Sequence, residues 1–292
     1  MAQLKVGIIG GSGLGEALGA LGQGKTQYPD TPFGKPAAPI VETELGGVPV
    51  ALLSRHGEGH RFSPSRVPYR ANIWALKQLG CTHVLASAAV GSLREFIAPK
   101  HLVIPDQVID LTTRRDHTFF DDLAVHAELA SPFCPSLRKL LLDASEGLPT
   151  QVHVKGTLVV MEGPQFSTRA ESERNRTLGG DLIGMTAMPE AKLAREAELC
   201  YALVSLPTDY DCWRPAPDHV DKLHLLEEII GNLKAATANA LDLLRRAVPG
   251  VKGLQGGCAC QSSLALGIWT DKAHIAPETK QRLDLLLGKY LK

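Results

Sequence analysis

Short apolar, β-branched runs recur along the chain, and the stretches between them carry apolar residues at three- and four-residue spacing. LKVGII (4–9) reads as a buried strand entering the glycine turn Gly10-Gly11-Ser12-Gly13. VPVALLSR (48–55), THVLASAAVG (82–91), HLVIPDQVID (101–110), VHVKGTLVVMEG (152–163), DLIGMT (181–186) and CYALVSLPTD (200–209) repeat the strand pattern. Helical spacing predicts helices over 69–80, 134–148, 167–179 and 188–199, and a long one from about Asp221 to Ala247 that Pro249-Gly250 stops. Strands alternating with helices predict an α/β sheet with covered faces. Several strands end in Gly, Ser, Thr or Asp, so polar groups collect at the carboxyl edge, where open sheets usually bind ligands. The expected organisation is one domain over 1–250 with a C-terminal extension, 251–292, packed on the same domain.

Composition adds exclusions. The 292 residues carry 31 basic and 31 acidic side chains, and this neutrality argues against a general nucleic-acid or membrane-surface binder. MAQLKVGIIGG lacks a secretory signature, and no run approaches the ~20 apolar residues that span a bilayer. A soluble cytoplasmic protein acting on a small molecule is expected. Of six cysteines, Cys81, Cys134, Cys200 and Cys212 stand singly in apolar or aromatic surroundings and read as small hydrophobes. Cys258-Ala-Cys260 is a close pair without a second Cys/His pair; it reads as structural or incidental, with a redox-active or bridged pair as the alternative. No metal is expected.

Two phosphate motifs fail on context. The Gly10–Gly15 run lacks the third glycine or alanine of a dinucleotide fingerprint, since position 16 is Glu16, and no acidic strand end follows. The stretch from Gly19 to Thr26 spells a P-loop, but no strand precedes it, and Pro29, Pro32 and Pro36 bar a following helix. The first turn can still present backbone N–H groups and the Ser12 hydroxyl to an anion.

Arg55-His56-Gly57 follows an apolar run, and an Arg at a buried strand end is costly unless it meets an anion. With Ser12 and the turn amides, its guanidinium suits phosphate; a surface Arg beside a loop His is the plainer alternative. ASAAVGSL (86–93) allows close backbone approach to a ligand or to a packed helix. EGPQFSTRAES (162–172) places Phe166 and Ser167 before a helix, where a base could stack or a core aromatic pack. GMTAMPE (184–190) offers Met185, Thr186 and Glu190. Asp209 and Asp211, two apart on an extended segment, can face one side and bridge purine donors and acceptors if one is protonated; a turn or N-cap residue is the plainer reading of Asp209.

GIIGGSGL, TPFGKP, SRHG, YRANIWALK, GCTHV, GSLRE, KGTLVVMEGPQFSTRAES, GMTAMPE and TDYDCW, spread in order over roughly 4–250, together resemble the 5′-methylthioadenosine phosphorylases of the purine nucleoside phosphorylase superfamily. The resemblance implies a single α/β domain with a central mixed sheet flanked by helices, assembled as a homotrimer. It implies phosphate binding by Ser12, Arg55, His56, Thr186 and the Ala88 and Ala89 backbone, although position 88 departs from the family's common threonine. Phe166 would pack on the base, Met185 under the sugar, and Asp209 and Asp211 would read the purine edge, favouring a 6-amino base. Ser167 and Leu226 would set specificity: Leu226 stands where ordinary nucleoside phosphorylases place a histidine for the 5′-hydroxyl, and it would welcome a methylthio group, worth ~1 kcal/mol or more. A core leucine on an amphipathic helix is the alternative for Leu226. His126 resembles a residue that reaches a neighbouring subunit's site.

The reaction so implied is phosphorolysis of S-methyl-5′-thioadenosine to adenine and 5-methylthioribose 1-phosphate, a step of purine and methionine salvage. Phosphate would be a co-substrate, with no metal or organic cofactor, and Asp209 would assist departure of the base. Rivals are a purine nucleoside or methylthioinosine phosphorylase, a hydrolytic nucleosidase, and a non-catalytic nucleotide-binding protein.

Overall fold

The computed structural model describes residues 4–214, 222–254 and 257–291. β1 (Val6–Gly10) is buried along its whole length and lies parallel between β4 (Val48–Ser54) and β5 (His83–Ser92). Strands buried on both faces need no polar alternation, which is why these segments read as continuous apolar runs. β2 (Lys25–Gln27) and β3 (Ile40–Leu45) extend the sheet antiparallel beyond β4. The prolines around β2 conceal it in the sequence, and its Lys25-Thr26 lies in an edge strand rather than opening a helix.

The predicted strand 101–110 divides into β6 (Leu102–Val103) and β7 (Gln107–Asp110), and 152–163 divides into β8 (Val152–His153) and β9 (Thr157–Val160). Pro105 removes a ladder donor in the first. In the second, Gly156 takes the break, its amide donating to Asp106 Oδ1 at 2.9 Å. Both chains therefore step together: β6 pairs with β8, and β7 with β9. β10 (Leu182–Gly184) runs parallel to β9 and antiparallel to the end of β5, while β11 (Cys200–Asp209) runs parallel to most of β5. β5 is thus the hub of a single mixed sheet of eleven strands.

Helices cover both faces: α1 (Leu14–Ala17), α2 (Tyr69–Gln78), α3 (Pro135–Ala144), α4 (Arg169–Thr177), α5 (Ala187–Glu196), α6 (Lys222–Ala247), α7 (Pro277–Arg282) and α8 (Asp284–Leu287). Pro135 takes the first position of α3, where its missing N–H costs nothing. α4 begins on a capping box between Thr168 and Glu171. The predicted start of α6 at Asp221 lies outside the described residues. One core, with Trp74, Phe119 and Tyr201, takes in Leu264, Leu283, Leu286 and Leu287 of the C-terminal segment. The other, under α3 and α6, takes in Val251 and Cys260.

The fold corrects the view of Cys134 and Cys200 as isolated hydrophobes. The Cys134 amide donates to the Tyr201 carbonyl at 2.7 Å, which sets the start of α3 against the start of β11, and the Cys258-Ala-Cys260 turn packs onto both.

Candidate active site

Because β1, β4, β5 and β11 are parallel, their carboxyl ends emerge at one edge. β10 enters antiparallel to the end of β5, and continuing its register (Leu182 opposite Ser92, Ile183 opposite Gly91) points Met185 and Thr186 back along Ala89 and Ala88. This edge gathers the glycine turn, Arg55-His56, Ser87 to Ala89, Thr186 and Asp209. A cleft of about 420 Å³ opens beside it, lined by Gly10, Gly11, Gly15, Ser54, His56 and His60 among others.

Gly11 is required by close approach. A Cβ there would sit 2.6 Å from Arg55 Nη1 and 2.7 Å from the Ser87 carbonyl. Its amide donates to Ser87 Oγ at 3.3 Å. Gly13 supplies the turn's positive φ of 79°. Thr186 precedes α5 without capping it, so its hydroxyl is not spent on the helix end.

Arg55 finds an anion inside the protein. Its side chain is 0% exposed and forms a two-pronged pair with the equally buried Glu190, Nε and Nη2 each donating at 2.7 Å; Nη1 donates to the Ser87 carbonyl at 2.7 Å. Burial works to lower the Arg55 pKa, but the charge and hydrogen bonds of Glu190 outweigh it and hold the guanidinium firmly protonated. The anion that justifies a buried Arg is therefore Glu190. Three of five N–H donors are committed, leaving one each on Nη1 and Nη2.

His56, unlike Arg55, carries no charge near pH 7. Its Nδ1 lies 2.8 Å from the Phe62 carbonyl, which can only accept, so Nδ1 carries the proton. Burial first, and then the positive charge of Arg55, push its pKa down to about 4. The ring stacks on His60 at 4.1 Å between centroids. With Arg55 neutralised by Glu190 and His56 uncharged near pH 7, this corner offers an anion hydrogen-bond donors more than net charge.

At the other end of the edge a bulge re-aims the Asp209 and Asp211 carboxylates. Pro207 pairs with Val90 and Asp209 with Gly91, so two steps along β11 match one along β5. Asp209 accepts from the Thr208 hydroxyl at 2.7 Å and from the Asp211 amide at 2.8 Å. Asp211 accepts from the Ser172 hydroxyl of α4. Gly91 leaves room for the pair: a Cβ there would meet Asp209 Oδ1 and Asp211 Cβ, both at 3.3 Å. Burial raises the Asp211 carboxyl, and the charge of Asp209 adds to that rise. The carboxyl that holds a proton more readily than usual is therefore Asp211's. Asn232 of α6 donates to the Thr208 carbonyl at 2.9 Å and fixes the bulge from behind.

Arg115 escaped sequence reading, because nothing in DLTTRRD marks one arginine over the next. Its buried guanidinium pairs with Glu162 at 2.9 Å and donates to the Met185 carbonyl at 2.5 Å and the Met188 carbonyl at 2.7 Å. It staples the strand-to-helix turn that carries Met185 and Thr186. Burial alone would raise Glu162, yet the Arg115 hydrogen bond and the Thr113 and Arg114 amides pull it down to about 2. Ser87 and Ser172 were also missed, although both lie in segments already marked by small residues or by Phe166.

Of the remaining predicted positions, Phe166, Leu226 and His126 are exposed. Phe166 is 86% exposed, which rules out a core aromatic. Ser167 approaches Met161 Sδ at 3.6 Å, and its carbonyl accepts from Cys212. Leu226 is 52% exposed, so it is not a core leucine; with Leu223, Leu225 and Ile230 it forms an exposed apolar stretch on the first half of α6. At ~1.5 Å per residue, Leu226 lies roughly 9 Å beyond Asn232 along the helix. His126 is exposed and meets the Trp269 ring edge-to-face at 4.7 Å. Ala88 is buried and Ala89 half-buried on β5.

The chain matches the family model of the phosphorylase superfamily over residues 5–249. The S-methyl-5′-thioadenosine phosphorylase of Geobacter sulfurreducens is 46% identical over 288 residues, covering 98% of this chain and 99% of that protein. The crystal structure of a methylthioadenosine phosphorylase from an Antarctic soil metagenomic library superposes with a TM-score of 0.89 at 45% identity, over 98% of this chain and 100% of that one. Methylthioadenosine phosphorylase from Schistosoma mansoni, in complex with adenine, gives 0.83 at 35% identity, over 91% and 99%. The chain belongs to the S-methyl-5′-thioadenosine phosphorylase family. Among the described residues, no helix is long and apolar enough to cross a membrane.

Proposed function

We propose that this chain catalyses phosphorolysis of S-methyl-5′-thioadenosine, releasing adenine and 5-methylthioribose 1-phosphate. The observation that carries the proposal is the convergence of two unlike ends on one strand edge: an amide- and hydroxyl-rich corner around Gly11, Ser12, Ala88, Ala89 and Thr186, and the Asp209–Asp211 pair at the end of β11. Phosphate would sit in the first and attack the anomeric carbon as cationic character develops there. The two uncommitted Arg55 N–H groups would add to that cradle, and neutral His56 would accept a proton-bearing phosphate oxygen at Nε2.

The base lies at the second end. Carboxylate oxygens of the pair accept from a 6-amino group, and a proton on one of the two carboxyls would let it face an acceptor nitrogen. Asp209 assists departure of adenine, directly or through a water. Met185 lies under the sugar, Phe166 and Ser167 border the base, and Leu226 takes the methylthio group. The open setting of Phe166 and Leu226 fits a homotrimer in which a neighbour's His126 completes the pocket. Phosphate is a co-substrate; no metal or organic cofactor takes part. The proposal includes a cytoplasmic role in purine and methionine salvage.

The test is turnover of methylthioadenosine, adenosine, methylthioinosine and inosine with phosphate present and absent. Adenine release that requires phosphate and favours the methylthio substrate is expected. Adenine release without phosphate would instead identify a hydrolase, and a preference for inosine would reject the roles of Asp209 and Leu226.

A further inference from the structure

Four cysteines from three separate segments meet at one point. The Sγ atoms of Cys134, Cys200, Cys258 and Cys260 all lie within 4.8 Å of one another, with Cys134 and Cys258 at 3.6 Å. Cys134, Cys200 and Cys260 are buried and Cys258 is half-buried. Four thiolates around Zn²⁺ at ~2.3 Å sit about 3.8 Å apart, so the shell closes on a metal by moving inward ~1 Å at its widest.

We propose that these four residues form a structural zinc site. On binding, each thiol releases its proton to solvent and four Zn–S bonds form. No electron moves, and the site acquires a net charge of 2 − 4 = −2. The surroundings suit that charge. Cys134 is the residue before the ten-residue α3, so its sulfur stands at the positive end of that helix. Arg195 lies close enough to Cys260 to act on it electrostatically. The scaffold is also fixed before any metal arrives: the Cys134 amide is tied to the Tyr201 carbonyl at 2.7 Å, and the Gln261 amide to the Cys258 carbonyl at 2.8 Å.

A closed shell of four protein sulfurs leaves no position for substrate, which makes the site structural rather than catalytic. Its place in the fold agrees. Cys200 opens β11 and Asp209 ends it, a separation of roughly 30 Å at ~3.3 Å per residue. Metal binding would clamp the C-terminal segment, through Cys258 and Cys260, onto the starts of α3 and β11.

The experiment measures zinc and thiols in the full-length protein, refolded with zinc chloride and then dialysed against metal-free buffer. One zinc per chain is expected, together with alkylation of all six cysteines after unfolding with a chelator and no reductant. Cys260→Ser should lose the stoichiometric zinc and melt at a lower temperature. Should that variant fail to fold, the stripped wild-type protein should take up one Co²⁺ with the visible absorption of tetrahedral thiolate coordination. A zinc content near zero after refolding overturns the proposal. So does resistance of four cysteines to alkylation until reductant is added, which would mean two disulfides formed by loss of electrons to an oxidant.

Discussion

Replacing Glu190 with Gln tests the buried ion pair on which the phosphate corner stands. Glu190 accepts three hydrogen bonds, two from Arg55 and one from the Tyr201 hydroxyl at 2.8 Å. Gln keeps the shape and one acceptor oxygen, but it turns an N–H₂ towards the guanidinium and leaves Arg55 buried without a counter-charge. Breaking one side of a buried pair costs ~3–5 kcal/mol. At about 2 °C per kcal/mol for a domain of this size, the melting temperature should fall by roughly 6–10 °C. The corner also changes from net neutral to net positive. Wild-type phosphate KM should therefore respond weakly to ionic strength, and that of Glu190→Gln should rise with salt. The double variant Arg55→Met, Glu190→Leu removes both charges and should recover much of the lost melting temperature without recovering phosphate use. A Glu190→Gln protein melting within a degree or two of wild type would refute the reasoning, as would a wild-type phosphate KM that climbs steeply with salt.

Acid titration gives an independent check through His56. Its folded pKa of about 4 lies below the ordinary 6.5, so the unfolded chain takes up this proton first. The associated stability is complete above pH 6.5 and is lost as pH falls towards 4, about 3 kcal/mol in all; His56→Gln should flatten that part of a denaturant-midpoint profile. Asp209→Asn should lower kcat/KM for methylthioadenosine by roughly 10²–10⁴ and shift preference towards methylthioinosine, as a four-substrate comparison would show. Leu226→His should raise kcat/KM for adenosine relative to methylthioadenosine by about tenfold, the equivalent of ~1.4 kcal/mol, and an unchanged ratio would remove Leu226 from the 5′ pocket.

The strand order of events along the chain was legible because doubly buried strands such as β1 and β5 leave continuous apolar runs, and because the capping box at Thr168 and the proline at Pro135 mark helix starts. β2 and β3 were not, since β2 is a short edge strand among prolines and β3 interleaves Glu42 and Glu44 with its apolar residues. The breaks at Pro105 and Gly156 depend on which strand each half will pair with, and that is settled only in three dimensions. The candidate site residues stood out through their segments: Asp209 closes a strand, and Ser12, Arg55 and Thr186 follow within two residues of one. What lay hidden was partnership. A sequence shows that Arg55 needs an anion, but not that Glu190, 135 positions away, supplies it. In the same way, Cys134 and Cys200 look solitary until α3 and β11 bring them to the C-x-C turn. Arg115 carries no local mark at all, because its value lies in carbonyls contributed by other segments.

The bulge at Thr208 has a consequence for how this protein can change. Side chains alternate along a strand, so losing one residue anywhere between Cys200 and Pro207 would turn every later position to the opposite face. Asp209 would then point away from Gly91, and the cysteine at the far end would be pulled from its companions by one step. β11 behaves as a ruler of fixed length between two anchored ends. Letters at 209 and 211 can therefore be exchanged without disturbing the strand, whereas the length of β11 between Cys200 and Pro207 cannot change.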